Sequence, residues 1–415
     1  MMFNSICVVG LGYIGLPTAA MFASKGKSVL GVDVSQHVVN TINSGNIHIV
    51  EPSLDIIVEE AIKSRQLRAS TSAKPADAFL IAVPTPFKSQ GLKSTIPQPD
   101  LSYIKAAAKE IARVLKSGDL VVLESTSPVG TTDQMAAWLS EERKDLTFPQ
   151  THGDESDIRV AYCPERVLPG NVIRELVTND RVIGGMTNNC TLSATELYKI
   201  FVEGECVTTN ARTAEMSKLV ENASRDVAIA FANELSIICD SLDINALELI
   251  SLANRHPRVN ILQPGCGVGG HCIAVDPWFI VSESPDTANL IETARRVNDY
   301  KPFWVIDKVR SAVADFSTNK IMDAERNVSI ACYGLAFKPD IDDLRESPAL
   351  LIAQTLGSTH SGEVYACEPH IESYDGAEFD LVDAEFALSN ADIHVFLVKH
   401  SQLLFVCKHP FSILL

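Results

Sequence analysis

At 415 residues the chain is long enough for two or three domains, each with its own core. Hydrophobic residues make up 46% and charged residues 21%, which excludes wholesale disorder, a collagen-like repeat and a disulfide-dense mini-protein. With 35 Lys and Arg against 52 Asp and Glu the net charge is −17, so neither nucleic acid nor an anionic membrane surface is an expected partner. The ten cysteines are scattered, with no CxxC pair and no Cys/His spacing of a zinc site, so no metal is expected. No signal-peptide pattern opens the chain, and its first apolar run is too short to span a membrane. The expectation is a cytoplasmic protein with reduced thiols.

Ser5 to Val9 is a short apolar β-type run, followed by Gly10-Leu11-Gly12-Tyr13-Ile14-Gly15. An Ala-rich helical stretch from Leu16 to Ala23 comes next, then a second β-type run, Val29 to Val32, ending at Asp33. Strand, glycine turn, helix, strand and acid in that order read as a dinucleotide-binding βαβ unit. The glycines let the backbone approach a pyrophosphate at the helix N-terminus, and Asp33 would accept from the ribose hydroxyls. A carboxylate there repels a 2′-phosphate, which favours NAD over NADP.

Two near-continuous apolar runs follow, Ala78 to Val83 and Leu120 to Glu124, as expected of parallel strands covered on both faces. They end in Pro84-Thr85-Pro86 and Ser125-Thr126-Ser127-Pro128-Val129-Gly130-Thr131, where ligands bind in such sheets. Helix capping is the alternative for Thr85 and Thr126. A polar loop without periodicity is expected over residues 88–99.

From Arg212 to about Leu242 apolar residues recur at three- and four-residue steps, predicting a helix of some 30 residues suited to a spine between domains. Lys218, Asn222 and Arg225 fall on one face, either a functional column or a solvated surface. Beyond a cationic knot, Asn254-Arg255-His256-Pro257-Arg258, lies Gly265-Cys266-Gly267-Val268-Gly269-Gly270-His271-Cys272. Bare backbone there allows a ligand to come close. A thiol at the end of that loop, with Asp276 nearby, is a candidate nucleophile, and a buried inert Cys is the alternative. The α/β pattern then returns at Val328 to Tyr333, Val364 to Cys367 and Ile393 to Val398. Gly334 and Lys338 follow the first of these, and without a GxGxxG they suit a phosphate or sugar rather than a second dinucleotide. The fold class is α/β: two doubly wound, Rossmann-like units joined by a long central helix.

Together GLGYIGLPTA, STSPVGT, CPERVLPG, EMSKLVEN, GVGGHCIAVDP and GLAFKPDIDDLRESP resemble the UDP-glucose/GDP-mannose dehydrogenases, in the order that family has them. The resemblance implies an NAD domain over 1–210, a central helical domain with the cysteine loop over 211–310 and a UDP-sugar domain over 311–415. It implies NAD contacts from Gly10, Gly12, Tyr13, Ile14, Gly15, Asp33, Thr85 and Thr126, with Arg345 near the cofactor. Substrate contacts are implied for Arg166, Val167, Lys218, Asn222, Arg225, His256, Arg258, Gly269, Phe337 and Lys338. Cys272 matches the nucleophile, Lys218 the catalytic amine, and Glu165 and Asp276 the acids that handle protons and water. The chemistry implied is a four-electron oxidation of a UDP-sugar 6-hydroxyl to a carboxylate. It consumes two NAD and passes through a thiohemiacetal and a thioester on Cys272. CPERVLPG and ANRHPRVNILQPG are most like the branch acting on UDP-N-acetyl-D-mannosamine. A homodimer through the central helix is expected.

Two departures from the family pattern stand out. Cys266 occupies a position where proline is common, and after Gln402 the chain runs into the apolar LLFVCKHPFSILL. That tail reads as a truncation or frameshift that removes the final strand and bares a sheet edge, with Pro410 arguing against a strand. A two-electron hydroxyacid-type dehydrogenase and an inactive family member remain the alternative readings.

Overall fold

Neighbouring residues in the central strands of the first sheet alternate between two apolar layers, and both layers are buried. Ile6, Val8, Leu80 and Val122 pack in one; Cys7, Val9, Phe79, Ile81, Val121 and Leu123 pack in the other. A strand covered on both faces has no polar side, which is why these runs are uninterruptedly apolar. The computed structural model describes residues 3–88, 96–168, 170–319, 327–375, 378–403 and 412–414. Two units divide the chain, Met1–Glu221 and Asn222–Leu415.

In the first unit eight strands form one sheet: β1 (Ser5–Val9), β2 (Ser28–Val32), β3 (Leu67–Ser70), β4 (Ala78–Ile81), β5 (Leu120–Leu123), β6 (Arg159–Tyr162), β7 (Arg181–Gly185) and β8 (Cys206–Asn210). Their order is β3-β2-β1-β4-β5-β6-β7-β8. All neighbours are parallel except β6 and β7, which run antiparallel. The reversal from β2-β3 to β4-β5 on either side of β1 puts the end of β1 at the switch point where such sheets bind ligands.

The second unit carries β9 (Ile330–Tyr333), β10 (Val364–Cys367), β11 (Asp380–Leu381), β12 (Ile393–Phe396) and β13 (Ser412–Leu414) in the order β11-β10-β9-β12-β13. All pair in parallel. Two layers cover this sheet as well, one with Ile330, Cys332, Ala366 and Val395, the other with Ala331, Tyr333, Tyr365 and Phe396. The expected spine is a 31-residue helix, Ala211–Ser241, whose length spans the division between the units.

The bare edge expected beyond β12 is corrected by β13, which aligns Ser412, Ile413 and Leu414 with His394, Val395 and Phe396. Pro410 precedes the paired residues in sequence, so its missing N–H is not required by the ladder. Residues 404–411 lie outside the described residues, as do 89–95 of the expected polar loop.

A chain stopped after Leu403 loses β13 and about three net backbone hydrogen bonds, worth roughly 2–3 kcal/mol. The second unit is expected to melt about 5–10 °C lower. Calorimetry of the two chains checks this, and coincident transitions would mean the strand adds nothing.

Candidate functional site

At the end of β1, Gly10 turns the chain with φ +92°, and a Cβ there would stand 2.5 Å from the Ala82 carbonyl oxygen. The Gly10 N–H donates to Val32 O at 2.8 Å. Asp33 holds the turn from the other side: its Oδ2 accepts from Leu11 N–H at 3.0 Å and its Oδ1 from Ser35 N–H at 2.9 Å. The helix Gly15–Ser24 starts here with no side-chain cap and no acid in its first turn. Its N–H groups and positive dipole end suit an anion. Gly12 and Tyr13 are exposed and Ile14 half-buried beside it. These residues fit a dinucleotide: a glycine cradle that a Cβ would fill, a free helix N-terminus and a carboxylate at the ribose position.

Thr85 and Thr126 lie past the ends of β4 and β5, where the Thr85 hydroxyl donates to Thr126 O at 2.6 Å. Neither caps a helix among the described residues, where the next helices begin at Ser102 and Thr131. Glu165 follows β6 and is buried at 7% exposure. Its Oε1 accepts from Arg166 N–H at 2.6 Å, and its Oε2 lies 2.8 Å from Nη1 of buried Arg181. Arg166 in turn pairs with Glu221 at 2.7 Å. Half-buried Lys218 stands one turn before Glu221 on the same helix, and Val167, also half-buried, follows Arg166.

In the second unit the glycine loop leads into the helix Asp276–Glu283. The Cys272 carbonyl accepts the N–H groups of Asp276 at 2.8 Å and of Val275 at 3.1 Å, so the thiol sits one turn ahead of that helix. Asp276 is 3% exposed, and Asn222 Nδ2 donates to its Oδ2 at 2.6 Å. The loop is pressed against the 337–348 segment: a Cβ on Gly269 would meet Glu346 O at 2.5 Å and Phe337 Cβ at 2.7 Å. Gly270 N–H donates to Arg345 O at 3.1 Å. This contact brings half-buried Phe337, exposed Lys338 and Arg345 to the neighbourhood of the loop. Arg345 pairs with Asp343 at 2.6 Å.

Of the loop's two thiols only one suits chemistry. Cys266 is 5% exposed, and burial pushes its thiol up to about 12. Cys272 is half-buried on the turn. Arg225 is exposed one turn past Asn222. His256 and Arg258 stand exposed on a turn held by reciprocal bonds between Asn254 and Ile261. Sequence reasoning missed Arg181 and Glu124, both 2% exposed around Glu165. The available signal was a lone charge at the end or start of an apolar strand, LVVLE and RVIGG.

Residues 4–202 match the NAD binding domain of the UDP-glucose/GDP-mannose dehydrogenase family, 212–300 its central domain and 331–409 its UDP binding domain. A UDP-N-acetyl-D-mannosamine dehydrogenase of Yersinia pestis is 61% identical over 405 residues, covering 97% of this chain and 95% of the relative. An NDP-N-acetyl-D-galactosaminuronic acid dehydrogenase of Ralstonia nicotianae is also 61% identical, over 96% of this chain and 92% of its own. Among solved structures, the UDP-N-acetyl-mannosamine dehydrogenase of Staphylococcus aureus superposes with a TM-score of 0.80 at 42% identity, covering 96% of this chain and 90% of the other. The corresponding enzyme of Pyrococcus horikoshii gives 0.82 at 38% identity, with the same coverage. With all three domains matched in order and relatives of this identity spanning nearly the whole chain, the protein belongs to the UDP-glucose/GDP-mannose dehydrogenase family and is an NAD-dependent nucleotide-sugar dehydrogenase.

Proposed function

We propose that the chain oxidises the 6-hydroxyl of UDP-N-acetyl-D-mannosamine to a carboxylate, reducing two NAD per turnover, with Cys272 as the covalent nucleophile. The observation that carries this reading is the Cys272 turn. A half-buried thiol stands one turn ahead of a buried Asp276, whose carboxylate is held by Asn222. NAD, when bound at the Gly10–Gly15 turn, accepts a hydride in each of the two oxidations.

The remaining roles belong to the chain. The Cys272 thiolate adds to the C6 aldehyde, forming a C–S bond and an oxyanion that the Lys218 ammonium neutralises. The tethered intermediate cannot be lost to solvent between the oxidations. After the second, the carbon is a thioester. Asp276 and Glu165 orient and deprotonate the water that attacks it, the C–S bond breaks, and the thiolate returns. Tyr13, Ile14, Thr85, Thr126 and Arg345 serve the cofactor. Arg166, Val167, Asn222, Arg225, His256, Arg258, Gly269, Phe337 and Lys338 serve the nucleotide sugar. These roles follow a division into an NAD domain (1–210), a catalytic helical domain (211–310) and a UDP-sugar domain (311–415).

A second reading, an N-acetylgalactosamine-based substrate, is favoured by the Ralstonia relative at equal identity. A panel of UDP-sugars followed by NADH absorbance separates the two. The acid should form with two NADH per molecule, and a ratio of one would defeat the four-electron reading. Cys272→Ser is expected to lower acid formation at least about 10³-fold while NAD still binds, as removal of a covalent nucleophile does. Full turnover by that variant would remove the thioester mechanism, whereas Cys266→Ala should be nearly silent.

Asp33→Ala removes a ribose acceptor and a charge that repels a 2′-phosphate. Its kcat/KM for NAD should fall roughly 10–100-fold while the preference over NADP narrows, the scale of one or two lost hydrogen bonds to a charged group. Steady-state kinetics with both cofactors check this, and an unchanged NAD preference would contradict the assignment.

We further propose a cytoplasmic homodimer. Met216, Val220, Phe231 and Ile238 are 36%, 40%, 52% and 45% exposed along one face of the long helix, an apolar stripe that a second copy of the chain would cover. No helix among the described residues is long and apolar enough to cross a membrane. Sedimentation should give twice the chain mass, and Phe231→Glu should shift it towards the monomer. A native chain that sediments as a monomer would exclude the dimer.

A further inference from the structure

Around Glu165 the first unit buries a cluster of ionisable groups with a single permanent cation. Arg181 and Glu124 are each 2% exposed, and Tyr198 and Cys163 are fully enclosed. The Arg181 guanidinium lies 2.8 Å from Glu165 Oε2 and packs over the rings of Tyr198 and Phe201, at 5.3 and 6.0 Å from their centres. The Tyr198 hydroxyl donates to Glu124 Oε1 at 2.6 Å. Glu124 Oε2, Glu165 Oε2 and both terminal nitrogens of Arg181 lack an aligned hydrogen-bond partner among the described residues. The guanidinium is therefore held by charge and by ring faces, not by a directed fork to one carboxylate.

One cation thus serves two buried carboxylates. A charge without full compensation in such a place is costly, so the weaker-held acid takes a proton. Glu165 has the direct ion pair and an aligned backbone N–H, whereas Glu124 has only a neutral phenol. Burial pushes the Glu124 carboxyl up to about 7, opposed by Arg181 and the Tyr198 bond and reinforced by Glu165. The other facing groups keep one charge state near neutrality. Burial pushes the Cys163 thiol up to about 12 and the Tyr198 phenol well above its ordinary range. Arg181 stays protonated, because Glu165 and the surrounding acids outweigh its burial.

We propose that Glu124 is a positioning residue of the reaction, whose protonation, transmitted through Arg181, gates the proton-handling step at Glu165. With Glu124 neutral, the whole guanidinium charge faces Glu165 and holds its carboxylate in the ion pair. With Glu124 ionised, that charge is shared and the hold weakens. Turnover therefore rises as pH increases through the Glu124 transition. The proposal rests on the reading that Glu165 handles a proton in the hydrolytic step.

The test is the pH dependence of kcat, at saturating substrate and NAD, for the full chain and three variants. The native profile should climb through an inflection near neutrality, roughly tenfold per unit well below it. Glu124→Gln should flatten that inflection to about twofold or less. Tyr198→Phe, which removes the donor that favours ionised Glu124, should move it to higher pH. An inflection unchanged in Glu124→Gln would overturn the proposal. Should that variant fail to fold, pH-difference infrared spectroscopy of the native chain decides. A protonated-carboxyl C=O band that vanishes through neutrality is expected, and its absence would overturn the assignment. Glu165→Gln keeps the two ideas apart. Native turnover in that variant removes the reading of Glu165 itself, whereas its loss beside an unaltered Glu124→Gln profile removes only the coupling.

Discussion

A Cβ on Gly15 would lie 1.8 Å from the Gly10 carbonyl oxygen, an impossible separation, so the first helix can follow the β1 turn this closely only without a side chain there. The site in the first unit depends on that approach. It aims the uncapped start of Gly15–Ser24 across the carboxyl end of the sheet, while Asp33 ties the turn to the end of β2. The second unit uses the same device after β9. Gly334 has φ +85°, its N–H donates to Cys367 O at 2.8 Å, and Glu368 accepts from Leu335 and Ala336 at 2.7 and 3.0 Å. The acids differ in what they have left to offer. Asp33 takes one backbone N–H on each oxygen. Glu368 is 4% exposed and also faces His400 Nε2 at 3.1 Å, and those bonds outweigh its burial and hold its carboxyl low. Glu368 is consumed inside its own unit, while Asp33 retains lone pairs for a ribose. This difference goes with the glycines: the first turn carries Gly10, Gly12 and Gly15, and the second only Gly334.

Polar pins at intervals fix the long helix against its neighbours in each unit. In the first, Glu215 accepts from Gly130 N–H, Thr132 N–H and the Thr132 hydroxyl at 2.6, 2.7 and 2.6 Å, closing the STSPVGT turn. In the second, the Asp226 carboxylate meets the Arg295 guanidinium with both side chains buried, and Asn298 bonds the same carboxylate at 2.8 Å. Asn233 then accepts from Gly265 N–H at 2.9 Å, anchoring the start of the cysteine loop. Buried ion pairs add little net stability over apolar replacements. Their contribution here is register: a slip of one residue along the helix would leave charges and loop N–H groups unpaired in the interior.

Apolar runs and glycine turns were legible because both faces of the central strands are buried and because no residue but glycine fits the turn after β1. The long helix was legible to within one residue at each end, Arg212 to Leu242 expected against Ala211–Ser241 found. The sheet beyond β5 was not. Strand β8, CVTTN, is partly or fully exposed along its length and carries no apolar period, so only its pairing with β7 identifies it. The burial of Glu124 and Arg181 was hidden for another reason. Charged residues are mostly exposed, and only the fold brings these two into one enclosure. Strand β13 was argued against from Pro410, yet three paired residues beyond the proline suffice for an edge.

The same reasoning separates the two cysteines of the glycine loop. Cys266 packs in the layer containing Val305, Ile306 and Val309, and its thiol would have to ionise away from water, a cost that the nearby Lys301 ammonium does not offset. Cys272, six positions later, lies where the loop's backbone is already committed to starting a helix, its carbonyl closing the turn on Asp276. That commitment fixes the Cα without enclosing the sulfur. A nucleophile needs both conditions, because a mobile thiolate loses orientation and a buried thiol loses the thiolate. A cysteine in place of the usual proline at 266 therefore adds no competing nucleophile. Substituting the buried position changes packing, and on the proposed mechanism substituting the turn position removes the nucleophile.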